Sequence, residues 1–178
     1  MESGGSRKSL EQQIVRLLDI TGSRLSADDK QEVQSAVDYA ASIYGDHRRK
    51  SGELYMVHPL AVATIAIEEL GLAKSAVIAA ILHDLYDFKD FKEDEVQMHF
   101  GDKVLEIIRG LHKISGLYTH NITLQDQNYI NLILNIVTDV RIILLKLADR
   151  LQNMRHIQNF LPEKQHSLAR EIGALYAP

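Results

Sequence analysis

The chain contains no cysteine and no tryptophan among its 178 residues, and only three prolines. The absence of cysteine excludes disulfides, zinc–thiolate sites and cysteine nucleophiles. An excess of charge of one sign is also missing, because 20 basic and 24 acidic residues leave a formal net charge of −4. A mildly acidic domain is a poor general binder of nucleic acid, since that affinity comes from neutralising phosphates with lysine and arginine. We therefore expect no nucleic-acid partner.

Long hydrophobic runs are also missing. No apolar run reaches the ~20 residues that span a bilayer, and the most apolar stretch, residues 140–148, contains Arg141 and Lys146. The first residues, MESGGSRKS, lack the apolar core of a signal peptide. The sequence thus predicts a cytoplasmic protein with no membrane partner, and a cysteine-free composition fits a reducing compartment.

Helical periodicity is what the sequence has in abundance. Apolar residues recur at three- and four-residue spacing, and no segment alternates as a strand does. We predict an all-α domain over residues 9–178, preceded by a disordered lead over residues 1–8. The predicted helices cover residues 11–20, 28–45, 59–70, 73–88, 92–100, 102–115, 124–137, 140–160 and 162–176.

Capping residues mark several of these boundaries. Ser9 with Gln12 matches a capping box for the first helix. Ser26 is a typical N-cap for the second helix, and Gly45 is a stop signal after it. Pro59 suits the first position of the third helix. These residues predict where the helices begin and end.

His83 and Asp84 stand together inside the predicted helix over 73–88, which is apolar on nearly all sides. A buried ionised carboxylate is costly unless it is paired or bound to a metal. His58 lies upstream where a helix begins, and Asp149 lies in another strongly apolar helix. Two imidazoles and two carboxylates form a donor set that suits manganese, iron or zinc. From the residues alone, a metal centre and separately satisfied core side chains both stay open.

The basic run RRK at residues 48–50 lies just ahead of His58. Guanidinium groups bind phosphate in a bidentate manner and stack on nucleotide bases. A basic loop beside a metal centre therefore favours a phosphorylated nucleotide as ligand, whereas a solvated surface loop is the alternative. Asn153 shares a helix face with Asp149 and can hydrogen-bond a ribose or phosphate, or be an ordinary surface amide.

Four segments together resemble a known family: RRKSGELYMVHPLAVA, AAILHDLYDF, FGDKVLEIIRGLHKIS and DVRIILLKLADRLQNMRHI. In this order and spacing they resemble the N-terminal HD hydrolase domain of RelA/SpoT homologues, over about residues 30–178. The resemblance implies an HD-domain helical bundle with a central metal site. The ending SLAREIGALYAP is similar to the family's junction with a synthetase domain. We therefore expect a domain that is truncated before a covalently attached synthetase.

The resemblance also implies a function. The family's hydrolase removes the 3′-pyrophosphate of ppGpp or pppGpp, the alarmones of the stringent response, using manganese. It thus implies a guanosine tetra- or pentaphosphate as substrate and Mn²⁺, or another divalent metal, as cofactor. The implied metal ligands are two histidines and two aspartates: His58, His83, Asp84 and Asp149. The implied nucleotide-binding residues, with Arg49 stacking on the base, are Arg49, Lys50, Ser51 and Asn153.

The sequence departs from the family pattern directly after the HD pair. Active family hydrolases carry a motif of the form HDxxED, whose Glu and Asp help to activate the attacking water. This chain reads HDLYDF, with Asp87 and Phe88 at those places. Asp87 keeps a carboxylate and, with Asp84, is implied as catalytic. Phe88 cannot take a proton, and a positioned base contributes roughly 10²–10⁴-fold to a rate.

Two further departures are milder. Asp46-His47 stands where the family usually has Gly-Gln, and His156 stands where a threonine is usual. Three functions stay open: a ppGpp 3′-pyrophosphohydrolase, a module that binds metal or nucleotide and regulates an attached GTP pyrophosphokinase, and a different HD phosphohydrolase such as a nucleotidase. The RKS loop and the family-like ending disfavour the third.

Overall fold

A computed structural model describes residues 3–49, 51–119 and 139–175 of the chain. The α-helices of these ranges are, in chain order, α1 Ser3–Arg24, α2 Ala27–Tyr44, α3 Val57–Glu68, α4 Lys74–Leu82, α5 Glu93–Phe100, α6 Asp102–Thr119, α7 Val140–Arg155 and α8 Pro162–Leu175. Two short 3-10 helices, Leu85–Asp87 and Ile157–Asn159, follow α4 and α7. The described ranges contain no strand, only an isolated antiparallel bridge between Arg48 and Leu54. The prediction of an all-α fold is confirmed.

The helices α3 and α4 form the centre of the bundle. α3 packs against α1, α4 and α7, while α4 packs against α2 and α6. Both helices are buried along most of their length, as expected for helices that are apolar on nearly all sides. Side chains at the start of α3 and at the end of α4 therefore lie in the core or directly beside it. None of the helices that the structure describes is long and apolar enough to cross a membrane.

The ends of α2 follow the sequence signals, and Pro59 lies near the start of α3. The Ser26 hydroxyl accepts from the Asp29 N–H at 3.1 Å, and the Asp29 carboxylate accepts from the Ser26 N–H at 3.4 Å. Gly45 follows α2 with a positive φ of 49°, which glycine adopts at little cost. α3 begins at Val57, so Pro59 lies in the first turn, where a missing N–H loses no intrahelical bond. The predicted cap and stop of α2 are confirmed, whereas α3 begins two residues before the predicted start at Pro59.

The first helix is longer than the sequence predicts. It begins at Ser3, so residues 3–8 are helical where the prediction has a disordered lead. Ser9 consequently lies inside the helix and is not its N-cap. Arg7 lies 3.1 Å from the Asp46 carboxylate, which links the early part of α1 to the loop after α2.

The prediction of one helix over residues 73–88 is wrong. α4 ends at Leu82, His83 is its C-cap, and the 3-10 helix Leu85–Asp87 follows. Asp84, between them, has φ −92° and ψ 2°. Adjacent residues of a regular α-helix point ~100° apart. Leaving the helix at this point removes that constraint, so two neighbouring side chains can reach the same place.

Two other helices differ from prediction at their C-terminal ends. α6 runs past the predicted end at Ser115 to Thr119. α7 ends at Arg155 rather than continuing to residue 160, because His156 leaves the helical conformation and a 3-10 turn follows. The predicted helix over residues 124–137 lies outside the described residues.

Candidate metal centre and nucleotide site

Side chains from three parts of the chain meet at the end of α4. His58 lies in the first turn of α3, while His83 and Asp84 directly follow α4. One ligand atom from each of these three residues lies within 4.8 Å of the others. Asp149, on α7, brings its Oδ1 to 3.2 Å from His58 Nε2. The structure therefore brings the four predicted metal-binding side chains together, the fourth through its contact with His58.

Both imidazole rings are held through their Nδ1 atoms. His58 Nδ1 lies 2.6 Å from Gln152 Oε1, and His83 Nδ1 lies 2.7 Å from the carbonyl oxygen of Ala80. An amide or carbonyl oxygen only accepts, so each Nδ1 is the donor. A neutral imidazole held in this way turns its unprotonated Nε2 towards the site, which is the form that binds a metal.

The two Nε2 atoms face carboxylate oxygens. His83 Nε2 lies 3.1 Å from Asp84 Oδ1, and His58 Nε2 lies 3.2 Å from Asp149 Oδ1. Although Asp84 is close, His83 Nε2 is buried without a hydrogen-bond partner in the part of the chain that the structure describes. Lone pairs that face carboxylate oxygens repel one another, and a bound divalent cation turns this arrangement into an attractive one. The donor set therefore fits a divalent metal.

Asp149 is buried among positive charges. Its Oδ2 lies 3.3 Å from Lys146 Nζ and 3.0 Å from Arg150 Nη1. Burial has the largest effect on the pKa of Asp149 and raises it, but the positive charges of Lys146 and Arg150 oppose burial, and the pKa lies well below its usual value. Asn153 Nδ2 donates to Oδ1 at 2.8 Å. Asp149 therefore presents an ionised carboxylate at neutral pH.

Gln152 and Asn153 are buried amides on the same stretch of α7. Asn153 is 7% exposed and contacts Asp149, whereas the sequence predicts a contact with ribose or phosphate, which stays a prediction. Gln152 is 5% exposed and holds His58. Gln152 was not predicted from the sequence as a residue of the site. Its one signal is its position three residues after Asp149, which places both on one face of a helix.

Positions 87 and 88, where the family motif has two acids, have different surroundings. Asp87 is exposed, and its Oδ2 accepts a long hydrogen bond of 3.5 Å from the Tyr55 hydroxyl. Phe88 is half-buried against the core, with its ring centroid 4.9 Å from that of Tyr44 and 5.0 Å from that of Tyr55, edge to face in both cases. Phe88 therefore packs as a hydrophobic side chain, and Asp87 is the acid that this turn offers.

The other departures from the family pattern also lie close to the site. The rings of His47 and Phe88 are in edge-to-face contact, with centroids 5.3 Å apart and planes at 89°. His47 Nδ1 lies 2.8 Å from the carbonyl oxygen of Tyr44. His156 Nδ1 lies 3.0 Å from the carbonyl oxygen of Gln152, the residue that holds His58. The contact between residues 47 and 88 could not be read from the sequence, where they are far apart.

The described residues of the basic loop, 48–49 and 51–54, form a tight turn, which we call the basic turn. The antiparallel bridge between Arg48 and Leu54 closes its base. Within it the Gly52 N–H donates to the Arg49 carbonyl at 2.8 Å, and Arg48 Nη1 donates to the Gly52 carbonyl at 2.7 Å. Gly52 has φ 87°, a conformation that residues with a Cβ rarely adopt. Hydrogen bonds therefore hold Arg48, Arg49 and Gly52 in defined positions relative to one another.

Arg49 connects this turn to the rest of the site. Its guanidinium carbon lies 5.7 Å from the centroid of the Tyr55 ring, within the range of a cation–π contact. Ser51 is exposed at the turn, while Lys50 lies outside the described residues. Tyr55 contacts both Arg49 and Asp87. It therefore links the basic turn to the 3-10 turn that follows His83 and Asp84.

The chain is similar to HD-domain proteins, among them enzymes named for the hydrolysis of ppGpp. A family model described as "HD domain" matches residues 36–178. A guanosine-3′,5′-bis(diphosphate) 3′-pyrophosphohydrolase of Aquifex aeolicus is 38% identical over 83% of this chain and 21% of its own length. The bifunctional (p)ppGpp synthase/hydrolase SpoT of Escherichia coli is 34% identical over 86% of this chain and 22% of its own length. The chain thus spans about a fifth of the length of these curated relatives.

A solved structure shows the same fold. It belongs to a metazoan orthologue of SpoT that hydrolyses ppGpp and plays a role in starvation responses. The two chains superpose with a TM-score of 0.60 and 25% sequence identity. The match covers 85% of this chain and 86% of the other, so it includes most of the helices described above.

Proposed function

Because the chain belongs to the HD-domain family, and within it to the RelA/SpoT hydrolase group, we propose that it is a metal-dependent ppGpp and pppGpp 3′-pyrophosphohydrolase domain. The observation that carries the proposal is the convergence of two imidazoles and two carboxylates in a partly buried place. Tyr55 contacts both the basic turn and Asp87, which lies three residues after Asp84. The relatives named above supply the substrate class, because their names specify hydrolysis of a guanosine bis(diphosphate).

The proposed metal ligands are His58, His83, Asp84 and Asp149. Mixed nitrogen and oxygen donors suit manganese, and Mn²⁺ is the metal that we propose. A divalent cation, when bound, supplies positive charge that polarises a phosphoryl oxygen and makes water a better nucleophile. Gln152 and Ala80 fix the orientation of the two imidazoles, so the ligand atoms are held in place by the protein itself.

The remaining residues act on the substrate and on water. Arg49, with Lys50 and Ser51, would bind the anionic nucleotide, and Arg49 would stack on the base. Water attacks the 3′-linked phosphorus, and the bond from that phosphorus to the ribose 3′ oxygen breaks. The 3′ oxygen leaves with a proton, so pyrophosphate and GDP or GTP are the products. Asp87 is the proposed acceptor of the proton that the water loses, because its carboxylate is exposed beside the site.

We further propose that the chain acts in the cytoplasm as part of a longer stringent-response protein. The alignments cover about a fifth of the curated relatives, and one of these relatives is named as both a synthase and a hydrolase. A covalently attached synthetase domain is therefore the proposed partner. A small anionic nucleotide, rather than nucleic acid or membrane, is the proposed ligand.

A second function is favoured by the packing of Phe88. In this alternative the domain binds metal and nucleotide without appreciable turnover and regulates an attached GTP pyrophosphokinase. Phe88 is in contact with the rings of Tyr44, Tyr55 and His47. It therefore contributes to packing at a place where the active hydrolases of the family have a second acid. The loss of a positioned base costs roughly 10²–10⁴-fold in rate, so the two functions differ in measurable turnover.

Release of pyrophosphate from ppGpp, with and without Mn²⁺, tests the proposal. We expect manganese-dependent turnover by the wild-type chain and none by Asp84→Asn, which removes one ligand charge. Metal content, circular dichroism and ppGpp affinity by calorimetry are measured on each protein. A folded, metal-loaded wild type that neither binds nor hydrolyses ppGpp would contradict both functions.

Two added variants separate hydrolase from regulator. Phe88→Asp places a carboxylate among aromatic rings, so it is also combined with His47→Gln, which removes the ring facing it. Turnover by the wild type establishes a hydrolase that works without a carboxylate at position 88. If the wild type binds ppGpp without turnover, whereas His47→Gln/Phe88→Asp hydrolyses it, the domain is a regulator derived from a hydrolase.

A further inference from the structure

We propose that Tyr55 is a positioning residue that holds the basic turn and the acid Asp87 in a fixed relation to each other. This inference rests on the proposed function and deepens it, since it assigns a role to a residue outside the metal and nucleotide set. Tyr55 lies three residues before His58, between the basic turn and α3. Its aromatic ring and its hydroxyl have separate partners, and this separation makes the inference testable.

The ring of Tyr55 is fixed by aromatic packing. It stacks on Tyr44, with centroids 5.4 Å apart and planes at 20°, and Phe88 meets it edge to face. Tyr44 is fully buried, so the stack is anchored in the core. The Tyr55 N–H donates to the His47 carbonyl at 2.8 Å, which also fixes the backbone at this position. The ring is therefore a rigid surface against which a mobile side chain can rest.

Arg49 uses that surface. Its guanidinium carbon lies 5.7 Å from the ring centroid of Tyr55. An arginine side chain loses considerable rotamer entropy when it is held by a ligand. Contact with the ring restricts Arg49 before the nucleotide binds, so less entropy is lost on binding. The ring of Tyr55 should therefore strengthen nucleotide binding through Arg49.

The hydroxyl of Tyr55 acts on Asp87. It lies 3.5 Å from Asp87 Oδ2 and is the donor of this pair. Burial, and then the negative charges of Asp84 and Asp87, hold the pKa of Tyr55 well above its usual value, so the hydroxyl stays protonated. Asp87 is otherwise an exposed side chain on a short turn. A donor on one of its oxygens orients the carboxylate and leaves the other oxygen for water.

Two substitutions separate the two roles. Tyr55→Phe keeps the ring and removes the hydroxyl, so we expect kcat for ppGpp to fall about tenfold, a part of the range that a positioned base contributes, with KM and the calorimetric Kd within twofold. Tyr55→Leu removes the ring as well, and we expect Kd and KM to rise about fivefold in addition, the size of an exposed cation–π contact.

Tyr39→Phe is the matched control. Tyr39 also donates its hydroxyl to a carboxylate, Glu95, at 3.3 Å, but it packs on Phe100 of α5. Removing its hydroxyl is the same chemical change at another place, and we expect kcat, KM and Kd to stay within twofold of the wild type. Thermal melting of all variants shows whether each is folded.

Failure of the role given to Tyr55 can be told apart from failure of the proposed hydrolysis. Unchanged kcat in Tyr55→Phe, or a fall matched by Tyr39→Phe, overturns the role of the hydroxyl. Equal Kd values for Tyr55→Leu and Tyr55→Phe overturn the role of the ring. If the wild type binds ppGpp without turnover, the proposed hydrolysis and the role assigned to Asp87 both fail. The ring is then judged by calorimetry alone, where weaker binding by Tyr55→Leu supports it.

Discussion

The histidines of the candidate metal centre are oriented by neutral oxygens rather than by carboxylates. Gln152 holds His58, and the Ala80 carbonyl holds His83. A neutral acceptor fixes the tautomer of an imidazole without adding negative charge behind it. The negative charge of the site therefore resides on Asp84 and Asp149, on the side of the rings where the metal would bind.

Gln152→Leu tests this arrangement. The substitution leaves the buried Nδ1–H of His58 without an acceptor, so the ring loses its fixed orientation. We expect divalent metal affinity to fall about 10–100-fold, the usual cost of losing such a partner. Competition with a fluorescent chelator measures it. Gln34→Leu, which removes an exposed amide from α2, is the control, and equal affinities in the two variants would rule out the role given to Gln152.

The residues that form the candidate metal centre could be predicted from the sequence, but not the residues that orient them. His83 and Asp84 stand out because a charged pair in an apolar segment needs a partner. Gln152 is one of many glutamines in the sequence, and its contact with His58 joins residues 94 positions apart. The contact between Tyr55 and Asp87 spans 32 positions. Long-range contacts of this kind depend on how the helices pack, which periodicity does not specify.

At the scale of elements, the close approach of α6 to α7 depends on a single glycine. A Cβ built on Gly110 would lie 2.3 Å from the Cδ1 atom of Ile142, far inside van der Waals contact. Ile142 is buried, on the first turn of α7. The absence of a side chain at Gly110 thus allows α7, the helix that carries Asp149, to lie against the core.

Gly110→Ala should therefore destabilise the fold by about 1–3 kcal/mol, the usual cost of overpacking. Gly116→Ala, on the same helix with open space around its Cβ, should be neutral or stabilising by up to about 1 kcal/mol. Urea unfolding measures both. Adding Ile142→Val, which removes the clashing Cδ1, should restore part of the loss. Equal stability of the two alanine variants would show that α7 shifts freely.

The helices themselves were largely predictable, and their ends were less so. Ser26 and Gly45 define α2 because a cap and a positive φ are local requirements. The end of α4 at Leu82 was not predicted, since the apolar pattern continues through Leu85. Leaving the helix there brings His83 and Asp84 to one place beside His58. That arrangement depends on tertiary contacts, which the apolar pattern does not specify.

At the scale of the whole molecule, ion pairs lower the pKa values of carboxylates on several elements. Arg109 of α6 pairs with Glu93 of α5 at 2.5 Å, and Tyr86 also donates to Glu93. These hydrogen bonds, that of Arg109 first, lower the pKa of Glu93 from 4.5 to about 2. Hydrogen bonds from Arg141 likewise lower the pKa of Asp139 from 3.8 to about 2.

Stability should therefore fall in acid. A carboxylate whose pKa is depressed on folding contributes stability that is fully present above its unfolded value and is lost as pH falls through the folded value. For Glu93 and Asp139 that window runs from about pH 4.5 to about 2. We expect the urea midpoint of the metal-free protein to be level from pH 7 to 5 and to fall below that.

Glu93→Gln should make this decline shallower, because one of the titrating groups is gone. Glu163→Gln, which removes an exposed carboxylate from the start of α8, should leave the slope unchanged. Unfolding is followed by circular dichroism in EDTA, so that metal release does not contribute. An acid slope that is the same in wild type and Glu93→Gln would mean that this ion pair contributes nothing to pH dependence.

The contact between His47 and Phe88 bears on how such a domain changes over evolutionary time. The two rings are neighbours in space and 41 positions apart in sequence (88 − 47 = 41). A carboxylate restored at position 88 alone would face an aromatic ring, and a glutamine restored at position 47 alone would leave Phe88 without one of its neighbours. Either substitution alone loses packing contacts that only the second substitution can compensate. Restoring an acid at position 88 without loss of packing therefore requires changes at both positions, which makes the replacement by Phe88 harder to reverse than a single codon change would suggest.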